Sequence, residues 1–232
     1  MKKYLLTLFM VLALLFLVAC EGAVDENSEI RNNTTQTENL TQAQEVPSAH
    51  LPSWAENLEL SEDEVYTMHT SFDWYWHDSI DEMTSWSGCV ARVEVLDERV
   101  ELVNTSPRSS FDTYDIVTIH RLRALEVFKG NAQAGETIEA MQVGGSLGNL
   151  ILICEEMASL VSGDELIVFI NEYGCLLNPM QSIYRVPSSA RGNESLTSQS
   201  ENITLENVHE KNNLVLTTDD LEKIAQVART TQ

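Results

Sequence analysis

Residues 111 to 130 read FDTYDIVTIHRLRALEVFKG, a β-rich run too long for one flat strand. Val117, Ile119, Leu125 and Val127 share one parity, Arg121 and Arg123 interrupt it, and Leu122 and Ala124 take the other face. Successive strand side chains alternate between faces, so an apolar side that changes midway requires a bulge or strong coiling. Small barrels use both devices.

The flanking segments extend this pattern. In CVARVEVL, from Cys89, the residues Cys89, Ala91, Val93 and Val95 fall on one face and Arg92 and Glu94 on the other, which predicts a half-exposed strand. GETIEAMQVGG, 135 to 145, predicts a third strand after Gly130. ELIVFI, 165 to 170, is continuously apolar and predicts a central strand buried on both faces. SIYRV, 182 to 186, predicts a fifth. In the tail TTDDLEKIAQVART, Asp219 and Glu222 stand at capping-box spacing, Leu221, Ile224, Ala225 and Ala228 form a stripe, and Arg229 closes the last turn of an amphipathic helix. The expected class is mainly β with flanking helices (α+β): a small five-stranded OB-like barrel over 89–190, irregular chain over 191–216 and a terminal helix over 217–232. Residues 51–88 form an aromatic-rich lead-in, mostly helical or irregular, where Asp78 caps a short helix and Ile80, Met83 and Thr84 face inward.

ALEVFKGNAQAGETIEAMQVGGSLGN, then SGDELIVFI and NPMQSIYRV, resembles a widespread group of bacterial secreted and lipoprotein domains. Their pattern is a Val-rich strand ending in Lys-Gly, a G-E-x-I strand, a Gly-Gly loop, a strand of the ELIVFI type and a closing Gln-x-x-Tyr turn. The order is similar to that of the netrin-like, tissue-inhibitor-of-metalloproteinase OB fold and covers 88 to 186. The resemblance implies fold more than function. Inhibitors of that family place an N-terminal cysteine on the protease zinc, held by a disulfide framework that this chain lacks.

The N-terminus fixes the compartment. Lys2 and Lys3 precede an apolar run, Tyr4 to Val18, of signal-peptide length, shorter than a ~30 Å hydrocarbon core requires at ~1.5 Å per residue. Leu17-Val18-Ala19-Cys20 resembles a bacterial lipobox, which implies cleavage after residue 19, a diacylglycerol on the Cys20 thiol and an acylated amine such as palmitate provides. Two or more chains hold a protein stably on a membrane. The expected location is the extracytoplasmic face of a bacterial membrane. Residues 21 to 50 are rich in Asn, Thr, Gln and Glu, carry no aromatic residue, and read as a tether of roughly 30 Å. A lipidated Cys20 at the end of such a tether makes a poor inhibitor wedge, because ordering a loose segment costs affinity.

The whole chain has 14 basic against 36 acidic residues; removal of residues 1–19 leaves 12 against 36, a balance of −24. That surface repels nucleic acid and anionic headgroups. Cys89, Cys154 and Cys175 form no C-x-x-C; Cys154 and Cys175 bracket the central strand and are a candidate disulfide, the alternative being three small buried hydrophobes. The five histidines make no H-E-x-x-H, Ser146 lacks a local base, and Gly144, Gly145 and Gly148 read as a turn rather than a phosphate loop. No catalytic residue, metal or cofactor is therefore assigned. Phe72, Trp74, Tyr75 and Trp76, with Trp86 nearby, either form a stacking platform for a peptide, glycan or protein, or lie buried over the open barrel end; the weight of aromatics in core energetics favours burial. The reading that follows is a non-enzymatic, membrane-tethered binding module, the alternative being a hydrolase with residues assembled from loops.

Overall fold

The computed structural model describes residues 51–230 except 57, 58, 60, 62, 107–112, 193, 194, 199 and 200. Cys20, the leader and the tether lie outside the described residues.

The chain is mainly β, with nine strands and two helices among the described residues. Two 16-residue strands, β2 (Cys89–Asn104) and β3 (Tyr114–Lys129), pair antiparallel and form the spine of the molecule. With β4 (Thr137–Val143), β7 (Glu165–Ile170), β8 (Ile183–Arg185) and β9 (Glu206–Asn207) they build a six-stranded sheet in the order β4-β3-β2-β7-β8-β9. A second sheet of β1 (Tyr66–Thr70), β6 (Leu150–Cys154) and β5 (Gly145–Leu147) has the order β1-β6-β5, with β1 parallel to β6.

The parity change in β3 is resolved by three register shifts against β2, between Val90 and Ala91, Arg92 and Val93, and Val95 and Asp97. One shift leaves Phe128 unopposed, so Phe128 packs with Val90 in one core while Val127 packs with Ala91 in the other. Each bulge adds twist, and the sheet acquires two buried faces. Leu166, Val168 and Ile170 of β7 join the core of Ala91, Val93 and Leu122; Ile167 and Phe169 enter the opposite one beside Tyr184. Each side chain of that size contributes roughly 1.5–3 kcal/mol on burial.

The terminal helix α2 (Thr218–Thr230) covers the second core with Leu221, Ile224 and Ala225. Its capping box is two residues earlier than the sequence spacing suggests. Thr217 Oγ1 accepts from the Asp220 N–H (3.3 Å) and donates to Asp220 Oδ2 (2.7 Å).

Three expectations change. Arg92 is buried rather than on an exposed face, because Glu165 of the neighbouring strand meets its guanidinium at 2.7 Å and later chain covers that side. The tight turn expected of the glycines falls on Gly148, between β5 and β6, whereas Gly144 and Gly145 carry the chain from one sheet to the other: a Cβ on Gly145 would stand 2.8 Å from Thr118 Oγ1 and 2.9 Å from Val100 Cγ1. Finally, strand pairing gives two sheets that are not closed into a five-stranded barrel. The edge strand β4 reaches the far flank of β7 only through an isolated bridge, Met141 N–H to Gly174 O (2.9 Å) and Leu176 N–H to Met141 O (3.2 Å).

Candidate functional site

The segment after β1 carries the aromatic residues, and α1 (Ile80–Trp86) gives it a partner. Ser79 rather than Asp78 caps α1: its extended backbone (φ −154°, ψ 163°) lets Oγ accept the Glu82 N–H at 3.1 Å. Met83 anchors the helix in the core at 0 % exposure, while Trp86, on its last turn, faces solvent.

Tyr75 and Trp86 stack, with ring centroids 5.2 Å apart and planes 18° from parallel. His77 meets both rings edge-on, at 5.1 Å and 6.0 Å. The pair stands in solvent: Tyr75 is 56 % and Trp86 57 % exposed, and Phe72 and Trp76 are 43 % and 41 % exposed. Trp74 is half-buried and packs against Phe72 at 5.3 Å. The expectation of burial over a barrel mouth therefore fails for Phe72, Tyr75 and Trp76, since the covering role falls to Met83 and to α2.

The exposed rings are held from below by buried polar groups. Gln181, fully buried, accepts the His77 N–H (2.8 Å) and donates to the His77 carbonyl (3.0 Å) and to Asn213 Oδ1 (2.9 Å). Asn178, also buried, donates to the Tyr75 carbonyl at 3.2 Å. On the surface the Tyr75 hydroxyl donates to Glu82 Oε1 at 2.7 Å, and Glu82 Oε2 accepts the Asp78 N–H at 2.7 Å. The backbone N–H and the tyrosine hydroxyl hold the Glu82 carboxyl below its usual pKa, and the same bond raises that of Tyr75. Burial lowers the pKa of His77. The platform is thus rigid, aromatic and anionic.

A second concave site lies between β3, β4 and the chain after β6, a pocket of about 200 Å³ lined by Glu98, Thr118, His120, Gln142 and Ser159 among others. His120 is buried; its Nε2 bonds Gln142 Oε1 at 2.7 Å and its Nδ1 stands 3.3 Å from Glu98 Oε2. The Gln142 amide donates to the Ala158 carbonyl at 3.3 Å, which fixes its oxygen towards the imidazole. In a hydrolytic triad one imidazole nitrogen takes a carboxylate and the other the nucleophile. Here the second nitrogen is occupied by Gln142, so this pocket does not assemble that chemistry. Strand register places Glu98 opposite His120, a signal visible only once β2 and β3 are paired.

Cys89, Cys154 and Cys175 are free thiols, so the candidate Cys154–Cys175 disulfide is not formed in this structure. Burial pushes all three thiols up, Cys154 to about 11, which makes them poor nucleophiles. Among the described residues no group of three or more His, Cys, Asp or Glu side chains is arranged to hold a metal ion, and no helix is long and apolar enough to cross a membrane. Compared with protein families, curated proteins and solved structures, the chain gives no match.

Proposed function

We propose that this protein is a lipid-anchored, extracytoplasmic binding module whose ligand surface is the Tyr75–Trp86 platform. The observation that carries the reading is the contrast between the exposed rings and the buried polar groups that fix them. Solvent-facing aromatics gain nothing from exposure, and a contiguous patch of them marks an interaction site. Holding them with Gln181 and Asn178 removes in advance part of the ordering cost that binding would otherwise carry. A peptide, a glycan or a protein can each use such a surface.

The anchor belongs to the same reading. Lipidation of Cys20 behind a polar tether would present the domain about 30 Å from the bilayer, where a strongly acidic surface stays clear of anionic headgroups. For the domain itself we propose an OB-like, barrel-related sheet. The Met141–Cys175 bridge, which links the two flanks of the sheet, supports it.

The test is retention of the full-length protein, in neutral detergent micelles, on arrays of glycans and peptides, beside the double variant Tyr75→Ala/Trp86→Ala. Retention that disappears in the double variant is expected. Equal retention of both proteins would place the binding surface elsewhere and overturn the reading.

A further inference from the structure

Resting on the platform as the binding surface, we propose that its ligand is an arginine-bearing segment of a partner protein, with a guanidinium stacked on the Tyr75–Trp86 pair and held by the surrounding carboxylates.

The charge around the rings is one-sided. Residues 71 to 91, which carry the rings, contain the four acidic residues Asp73, Asp78, Asp81 and Glu82 and no lysine or arginine. Asp73, Asp78 and Asp81 are exposed, and none takes part in an ion pair among the described residues. The neighbouring cation does not neutralise them: Lys129 Nζ donates to the Thr84 carbonyl at the end of α1, at 2.6 Å. Next in sequence comes Arg92, which is buried on Glu165. The acidic rim continues past Trp86, because Gly88 lies so close to Glu172 that an added Cβ would sit 3.0 Å from its Cα, and Glu172 and Tyr173 are both exposed. Some exposed carboxylates elsewhere are matched by arginines, as Glu139 is by Arg99 and Asp97 by Arg121. What distinguishes the platform is that its unmatched carboxylates stand beside exposed, stacked rings, a combination open to a cation from outside.

Ring geometry selects the kind of cation. A flat guanidinium stacks on a flat aromatic face and still directs its N–H groups sideways to carboxylates. An ammonium is a compact, strongly hydrated point charge and gains less from two near-parallel rings. His77, in edge contact with both rings, also buries an unpartnered Nδ1 there. A neutral sugar would use the rings but would leave the carboxylates without a role. Anionic lipid and nucleic acid are repelled.

The experiment is calorimetric titration of the full-length protein in a neutral detergent with three probes: hexa-arginine, hexa-lysine and a tetrasaccharide of N-acetylglucosamine. Hexa-arginine is expected to bind more tightly than hexa-lysine, with affinity falling as salt rises. Trp86→Leu, which removes a ring and no charge, is expected to weaken hexa-arginine about fivefold. Asp78→Asn/Asp81→Asn, which leaves the rings in place, is expected to weaken it too. Equal affinity for the two peptides, or binding indifferent to Trp86→Leu, would mean diffuse attraction to an acidic protein and would overturn the inference. Trp86-dependent binding of the tetrasaccharide without hexa-arginine would leave the platform reading standing and sink the arginine ligand. Binding of none of the three would remove both.

Discussion

Gln181→Ala is expected to unfasten the aromatic platform. The side chain is fully buried and bonds both backbone polar groups of His77, at 2.8 Å and 3.0 Å, and Asn213 at 2.9 Å. With alanine, the His77 N–H and C=O lose these partners inside the protein. An unsatisfied buried polar group costs roughly 1–3 kcal/mol, so two of them give roughly 2–6 kcal/mol while the segment stays docked. Against a domain stability of about 5–15 kcal/mol that is severe. The chain has a cheaper escape, because undocking residues 71 to 77 lets water take the freed groups while the core of β7 and α2 persists. Urea unfolding measures the stability loss, and near-ultraviolet circular dichroism reports the Tyr75–Trp86 stack. Either the midpoint falls by the amount above, or the midpoint holds and the aromatic spectrum collapses. An unchanged midpoint together with an unchanged spectrum would refute the claim that Gln181 positions the platform.

Glu165→Ala should cost about 3–5 kcal/mol by leaving the buried Arg92 guanidinium without its carboxylate, and Arg92→Met/Glu165→Leu should recover most of the loss; a change under about 1 kcal/mol in the single variant would contradict the assigned pairing. Burial lowers the pKa of His77 and His120 below 6.5, so the unfolded chain binds more protons and stability falls as pH drops from 6.5 towards the folded-state values. His77→Gln/His120→Gln should flatten that slope relative to the parent in urea midpoints measured across the window, and an identical slope would count against the burial of these rings. Cys20→Ser should abolish lipidation and release the protein from membranes on fractionation, whereas a variant that stays membrane-bound would remove the anchor from the account.

Local periodicity carried much of the fold. The unbroken apolar run of β7 predicts burial on both faces, and its residues alternate between two cores. The parity change in β3 predicts bulges, and they occur at Phe128 and Leu125 of β3 and at Leu96 of β2. What stayed hidden was non-local. β1, YTMHT, is short, polar and largely exposed, and it is a strand only because β6, more than eighty residues later, offers it an edge. Arg92 looks solvent-facing until Glu165, 73 residues on, is placed beside it. The residues of the platform were legible as an aromatic cluster, but their exposure was not. The docking of their segment depends on Gln181 reaching back 104 residues to His77. The Gln-x-x-Tyr turn of the resemblance supplies that glutamine, and nothing in its local pattern announces the contact.

The central claim, that the face carrying Tyr75 and Trp86 is where this protein meets its ligand, is tested most directly by site-specific photocrosslinking of the membrane-bound, full-length protein. A photoreactive phenylalanine analogue would stand at Phe72 or Trp76 on the platform, and at Val215 or Val227, which are more open to solvent outside it. Discrete adducts from positions 72 and 76, lost when Trp86 is replaced by leucine, are the predicted result. Adducts that form at 215 or 227 and not at 72 or 76 would contradict the account.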